Sequence, residues 1–286
     1  MARQVDFATS IPAGDRVGLA LGGGGARGLA HIAVLEAFDE LGIKPSVIAG
    51  TSIGAILGWA YASGLPARAL RHELLGRLRD KRGVVARIFE ARVGRFVHLV
   101  SGRGNPMSVD AEVLLRLLLP PDLVPNFEDL PIPLAVVATD FHSRCEVVYR
   151  SGPILPAVAG SSAIPGLVRP VVHDGRVLVD GGAINPLPFD QVEDNSDIII
   201  AVDATRGANG AAKPVPDSWE AMFGALQILQ GAVVQTKVAR RAPDALIRPD
   251  VNDFRVLDFF KAGAILRAAE PTKEEVKRML EKLLTP

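Results

Sequence analysis

Two short stretches carry residues of the types and spacing that acyl chemistry needs. Gly50-Thr51-Ser52-Ile53-Gly54 sets a serine between two glycines where a strand turns into a helix. Small neighbours there let the chain bend sharply enough to expose the hydroxyl. Upstream, Leu21-Gly22-Gly23-Gly24-Gly25-Ala26-Arg27-Gly28 reads as a glycine-rich turn that ends a strand and opens a helix. The first N–H groups of a helix have no partner inside it, glycine permits close approach and positive φ, and the helix dipole favours negative charge. Such a turn suits a phosphate or a transient oxyanion.

Other uses of these residues have to be weighed. Gly23-x-Gly25-x-x-Gly28 matches a dinucleotide fingerprint, which also wants an acidic residue at the end of the second strand. That strand ends in Ala49-Gly50-Thr51-Ser52, without one. A phosphate loop of the P-loop type needs Lys-Ser/Thr after its last glycine, and Leu29-Ala30 stands there instead. Thr51-Ser52 alone would serve as an ordinary helix cap. The glycine loop on the preceding strand-helix unit favours the nucleophile.

A serine nucleophile needs a base. The histidines are His31, His72, His98, His142 and His173. His142 and His173 follow Ser52 as a triad would require, but neither ends a clear buried strand, and His173 sits in a hairpin-like Val171-Val172-His173-Asp174-Gly175. Asp180 is better placed. It closes the apolar run Val177-Leu178-Val179 and precedes Gly181-Gly182, at the strand edge where open α/β sheets build their sites. A partly desolvated carboxylate there has a raised pKa and can take the serine proton directly. The bland reading of Asp180-Gly181 is a plain turn.

These residues need a scaffold. Val17–Leu21 reads as a buried strand, Gly28–Leu41 as a helix, Pro45–Ala49 as a second strand and Ile53–Ala62 as a second helix. Alternation at this spacing argues a parallel sheet covered on both faces. Residues 66–103 carry ten Lys/Arg against three acids, interleaved with Leu, Val, Ile and Phe. They read as one or two basic amphipathic helices, either solvated or forming a lid or membrane-facing surface. Further on we expect a helix over Ser108–Leu119 capped by Ser108, strands at Pro133–Thr139, Cys145–Tyr149, Val177–Val179 and Asp197–Asp203, and a short helix from Ile154. A loop at 205–216, a helix from Ser218 to Arg241, a short strand at Ala245–Ile247 and a charged helix at Pro271–Leu284 complete the chain.

Composition narrows the class. The 286 residues are 48% apolar and 22% charged, enough for a large core. Lys+Arg and Asp+Glu balance at 32 each, so nothing points to nucleic acid. With one cysteine, Cys145, an internal disulfide is impossible. The N-terminus lacks the apolar core of a signal peptide, and no apolar run nears the ~18 residues of a membrane span. We expect a cytoplasmic protein that touches a membrane at most peripherally. Residues 1–15 read as a leader, 16–203 as the main domain and 204–286 as a mainly helical extension packed on it.

In order, Gly23-Gly24-Gly25-Ala26-Arg27-Gly28, Gly50-Thr51-Ser52-Ile53-Gly54 and Asp180-Gly181-Gly182 resemble the patatin-like phospholipase family. Ala30-His31 and Ser162-Ala163-Ile164-Pro165 add to the resemblance, which covers about residues 16 to 203. It implies a three-layer α/β/α fold with a mostly parallel sheet and a Ser-Asp dyad without histidine. It implies Ser52 as nucleophile, Asp180 as base, and an oxyanion hole from backbone N–H groups of Gly23, Gly24, Gly25 and Ile53. Arg27 takes the family's basic loop position, orienting the loop or meeting a phosphate. The implied activity is hydrolysis of lipid acyl esters, with no metal or other cofactor. Gly182 stands where many members have alanine. An acyl-binding or regulatory protein on the same fold is the alternative.

Overall fold

The computed structural model describes residues 16–80, 82–83, 109–205 and 215–284. The site is built on one mixed sheet. Strand β1 (Val17–Leu21) lies between β2 (Val47–Thr51) and β7 (Ile198–Val202), and β2 lies beside β3 (Leu134–Asp140). These four run parallel, and β8 (Ala245–Ile247) adds in parallel to β7. Three antiparallel strands complete the sheet: β4 (Cys145–Tyr149) and β6 (Arg176–Asp180) pair with β3, and β5 (Val171–His173) pairs with β6. The hydrogen-bonded path is β5-β6-β3-β2-β1-β7-β8, with β4 off it on β3.

The register on β3 matters most. β2 pairs with Leu134 to Val137, ending at Thr51 opposite Val137. β6 pairs with Ala138 to Asp140, ending at Asp180 opposite Ala138. Because β4 pairs with residues in both stretches, it takes the other edge of β3. So β2 and β6 share one edge, run toward each other, and stop on adjacent residues of β3. The ends of two strands far apart in sequence are thereby brought face to face.

Strand alternation separates two apolar faces. Leu19, Leu21, Ile48, Val136, Ile200 and Val202 belong to the larger core. It is covered by α1 (His31–Leu41), α2 (Ile53–Ala62), α3 (Ala67–Arg79), α4 (Ala111–Leu118) and α5 (Ile154–Ser161). On the opposite face the strands contribute Ala20, Ala49, Ala135 and Ala201, small enough for Leu187, Phe189 and Val192 to pack close. Helix α6 (Ser218–Arg240) covers that side through Val234 and Val238. Two layers of helical and looped structure around one sheet give the α/β/α architecture. Helix α2 is apolar all round and wholly buried, which is what a helix enclosed by other elements requires.

Described segments after Asp203 join this sheet and its larger core. β8 extends the sheet, α7 (Ala262–Ala268) contributes Ile265 and Leu266 to the larger core, and α8 (Glu270–Leu284) packs on α1. Arg71 of α3 bonds Glu36 of α1 through two nitrogens at 2.6 Å each and also reaches Glu270 of α8. Within the basic stretch, α3 buries Ala67, Leu70, Leu74 and Leu78 and behaves as an amphipathic surface helix. Residues 81 and 84–103, the rest of the expected lid or membrane-facing surface, lie outside the described residues.

Several boundaries differ from expectation. Gly25–Ala30 forms a 3-10 turn ahead of α1, because the glycine loop tightens before the helix begins. β2 runs two residues beyond Ala49, since β3 is there to pair with Gly50 and Thr51. Helix α4 begins at Ala111, capped by Asp110, whose side chain accepts the N–H of Glu112; Ser108 lies outside the described residues. Helix α7 was not foreseen. No helix among the described residues is long and apolar enough to cross a membrane.

Candidate active site

Ser52 stands between β2 and α2 in a backbone conformation with φ 55° and ψ −121°, one of three described non-glycine residues at positive φ. A side chain held there is strained, and surrounding contacts must impose it. One contact is from Ser161 at the end of α5. Ser161 Oγ accepts the Ser52 N–H at 2.9 Å and donates to the Val137 carbonyl at 2.6 Å. Another is steric: a Cβ at Gly54 would overlap the Leu21 carbonyl oxygen, so only glycine lets α2 start this close to β1. The Ser52 hydroxyl makes no capping bond to α2. It donates instead to Asp180 Oδ2 at 2.6 Å.

Asp180 is 5% exposed and its other oxygen, Oδ1, accepts the Gly182 N–H at 2.7 Å. Burial pushes its pKa up to about 6, against the opposing effect of the hydrogen bonds from Ser52 and Gly182. At neutral pH it is a carboxylate of unusually high basicity, held against the hydroxyl. Its position follows from the head-on register of β2 and β6 on β3.

The glycine loop passes beside Ser52. Gly24 and Gly25 have φ of 142° and 57°, values that side chains rarely adopt, and a Cβ on either would strike the carbonyl of Ala204 or Val256. The loop is held by backbone bonds from Gly22 N–H to Val202 O, Gly23 N–H to Pro186 O and Ala26 N–H to Val256 O, at 2.7–3.0 Å. The Gly23 amide is therefore spent on Pro186, which revises its expected share in an oxyanion hole. The N–H groups of Gly24, Gly25 and Ile53 have no acceptor among the described residues. His31 Nε2 lies 2.8 Å from the Gly22 carbonyl, and burial lowers the ring's pKa to about 4. A neutral imidazole with its proton on Nε2 fits that carbonyl, giving His31 a loop-holding place.

Arg27 is 1% exposed and is not among the residues that line the cleft. Its guanidinium donates to the Thr205 carbonyl at 2.9 Å and to Gln227 Oε1 at 3.0 Å. Burial lowers its pKa to about 10, with the Asp203 charge opposing, so it remains a cation. It joins the glycine loop to the end of β7 and to α6. His142 and His173 lie on the β3–β4 turn and the β5–β6 hairpin, and neither lines the cleft.

The cleft is lined by Gly23, Gly24, Gly25, Ser52, Asp180 and Ile164, and roofed by Phe223, Leu226, Gln227 and Gln230 of α6 with Val256. Sequence reasoning missed the roof, because a helix of uniform polarity gives no periodic sign of what it covers. Its one hint is the uncharged run from Ala221 to Thr236 within a helix that ends in Lys237 and Arg240. Lys237 fixes the far end of α6, donating to Asn185 Oδ1, the Leu187 carbonyl and Asp190 Oδ1. Among the described residues no cluster of His, Cys, Asp and Glu could hold a metal.

Comparisons with known proteins agree with this architecture. The patatin-like phospholipase family model matches residues 19–192. An uncharacterized NTE family protein of Mycobacterium tuberculosis is 36% identical over 205 residues, covering 69% of this chain and 51% of its own. A rat patatin-like phospholipase domain-containing protein 7 is 28% identical over 290 residues, covering 92% of this chain and 21% of its own. The chain thus spans about half the length of the mycobacterial relative. Among solved structures, VipD from Legionella pneumophila superposes with a TM-score of 0.50 at 14% identity, over 94% of this chain and 67% of that one.

Proposed function

Because the chain belongs to the patatin-like phospholipase family, we propose that it is a serine acyl-ester hydrolase acting on lipids, with Ser52 as nucleophile and Asp180 as base. The observation that carries this reading is the 2.6 Å bond from the Ser52 hydroxyl to a buried carboxylate of raised pKa, made at a strained strand-to-helix turn.

The chemistry runs as acyl transfer. Ser52 Oγ attacks the ester carbonyl carbon as its proton passes to Asp180 Oδ2. Negative charge develops on the former carbonyl oxygen, and the N–H groups of Gly24, Gly25 and Ile53 are free to meet it. Losing one donor of this kind typically costs a rate factor of about 10² to 10³. Protonated Asp180 returns its proton to the departing alkoxide, and the C–O bond breaks to leave an acyl-Ser52. Water then attacks that carbonyl, giving its proton to Asp180, which restores it to Ser52 Oγ as the fatty acid leaves. Phe223, Leu226, Ile164 and Val256 supply apolar walls suited to an acyl chain.

The test is hydrolysis of short- and long-chain p-nitrophenyl esters and of phospholipid micelles. Wild type should turn over at least one of them, and Ser52→Ala and Asp180→Asn should each fall to background while circular dichroism stays native. Full activity in either variant overturns the assignment. A folded wild type with no Ser52-dependent turnover favours an acyl-binding protein on the same fold.

A further inference from the structure

We infer that Gln230 reads the alcohol side of the substrate ester, reaching the reacting centre through the space that Gly182 leaves open. The inference rests on the hydrolase reading above and adds to it the class of leaving group. Three observations carry it. Gln230 lines the cleft together with Ser52 and Asp180. A methyl group at Gly182 would overlap the amide end of Gln230 and stand 2.9 Å from Asp180 Oδ1, so the amide lies against residue 182, on the side of the dyad where the carboxylate is. Among the described residues its amide has no hydrogen-bonding partner, whereas the neighbouring roof glutamine, Gln227, is taken by Arg27.

The chemistry assigns the sides of the cleft. The oxyanion belongs with the glycine loop, where free N–H groups stand. The departing alkoxide must receive its proton from Asp180, so the alcohol part of the ester lies on Asp180's side, within reach of an amide resting on Gly182. A side-chain amide both donates and accepts hydrogen bonds, which suits an uncharged alcohol carrying further oxygens near the scissile bond. A glycerol ester has such oxygens and a simple alkyl ester has none. A site built to bond a substrate hydroxyl discriminates against the analogue lacking it, because the buried polar group is then unpaired. One neutral hydrogen bond of this kind corresponds to about a tenfold preference at most.

The experiment measures kcat/KM for a 1-monoacylglycerol and for the ethyl ester of the same fatty acid in identical micelles. Wild type, Gln230→Ala, Gly182→Ala and the double variant are compared. Titration with a fluorophosphonate fixes the concentration of competent Ser52 in each. We expect the ratio of monoacylglycerol to ethyl ester to fall about tenfold in Gln230→Ala. Gly182→Ala should lower the same ratio by displacing the amide, and the double variant should be no lower than Gln230→Ala alone. An unchanged ratio in Gln230→Ala overturns the inference, as does a further loss on adding Gly182→Ala, which would mean that residue 182 acts through Asp180. Wild type without Ser52-dependent turnover of either ester would overturn the hydrolase reading itself.

Discussion

Asp180 illustrates how one buried carboxylate ties activity and stability to pH in opposite directions. The base must be ionised to accept the Ser52 proton, and its pKa stands at about 6. The rate should therefore climb about tenfold per pH unit below 6 and level off above it, read as kcat/KM against pH. Stability runs the other way. The folded-state pKa lies above the ordinary value of 3.8, so protonation favours the native state and the benefit is lost as pH rises through about 6. A shift of this size corresponds to about 3 kcal/mol, a cost carried at neutral pH for keeping a charged base out of water. Asp180→Asn should accordingly raise Tm by several degrees at pH 8, with the gain fading toward pH 4. A lower Tm at pH 8 would contradict the assigned burial cost. From the sequence Asp180 was visible as a strand-end carboxylate, and the resemblance supplied its pairing with Ser52; what the sequence did not reveal is the register on β3 that joins two residues 128 positions apart.

At the scale of elements, helix α6 is both roof and strut. One end contributes Phe223, Leu226, Gln227 and Gln230 to the cleft, and the other is held by Lys237 to Asn185, Leu187 and Asp190. Asn185 in turn accepts the Thr51 hydroxyl on its carbonyl, next to the nucleophile. Lys237→Met should leave Asn185 Oδ1 and Asp190 without their cation and cost about 1–3 kcal/mol, seen as a lower Tm and faster amide exchange in 218–240. Unchanged exchange there would show that the apolar contacts of Val234 and Val238 suffice. The sequence located α6 almost to its ends, since Ser218 and Arg240 bracket a continuous helical composition. It did not reveal which elements α6 touches. A helix exposing Ile228 and Leu229 while burying little has no single apolar stripe to read.

For the whole molecule, β1, β2 and the two helices nearest the glycine loop were legible because their apolar runs end at or next to glycine. Val17–Leu21 and Ile53–Ala62 have the ends foreseen for them. The short helix Ala262–Ala268 and the 3-10 turn at Gly25–Ala30 were not legible, because their conformations are imposed by packing rather than by local preference. The meeting of β2 and β6 on one edge of β3 also bears on how the chain acquires its function. Helices α1 and α2 are local structures and can form early. The reactive pair comes into being only once three strands spanning residues 47 to 180 are aligned, a distant closure that is slow to reach. On dilution from urea, ellipticity at 222 nm should recover first and ester turnover last, making enzymatic activity a clock for the final step of folding. Simultaneous recovery would mean that the sheet closes in concert with its helices.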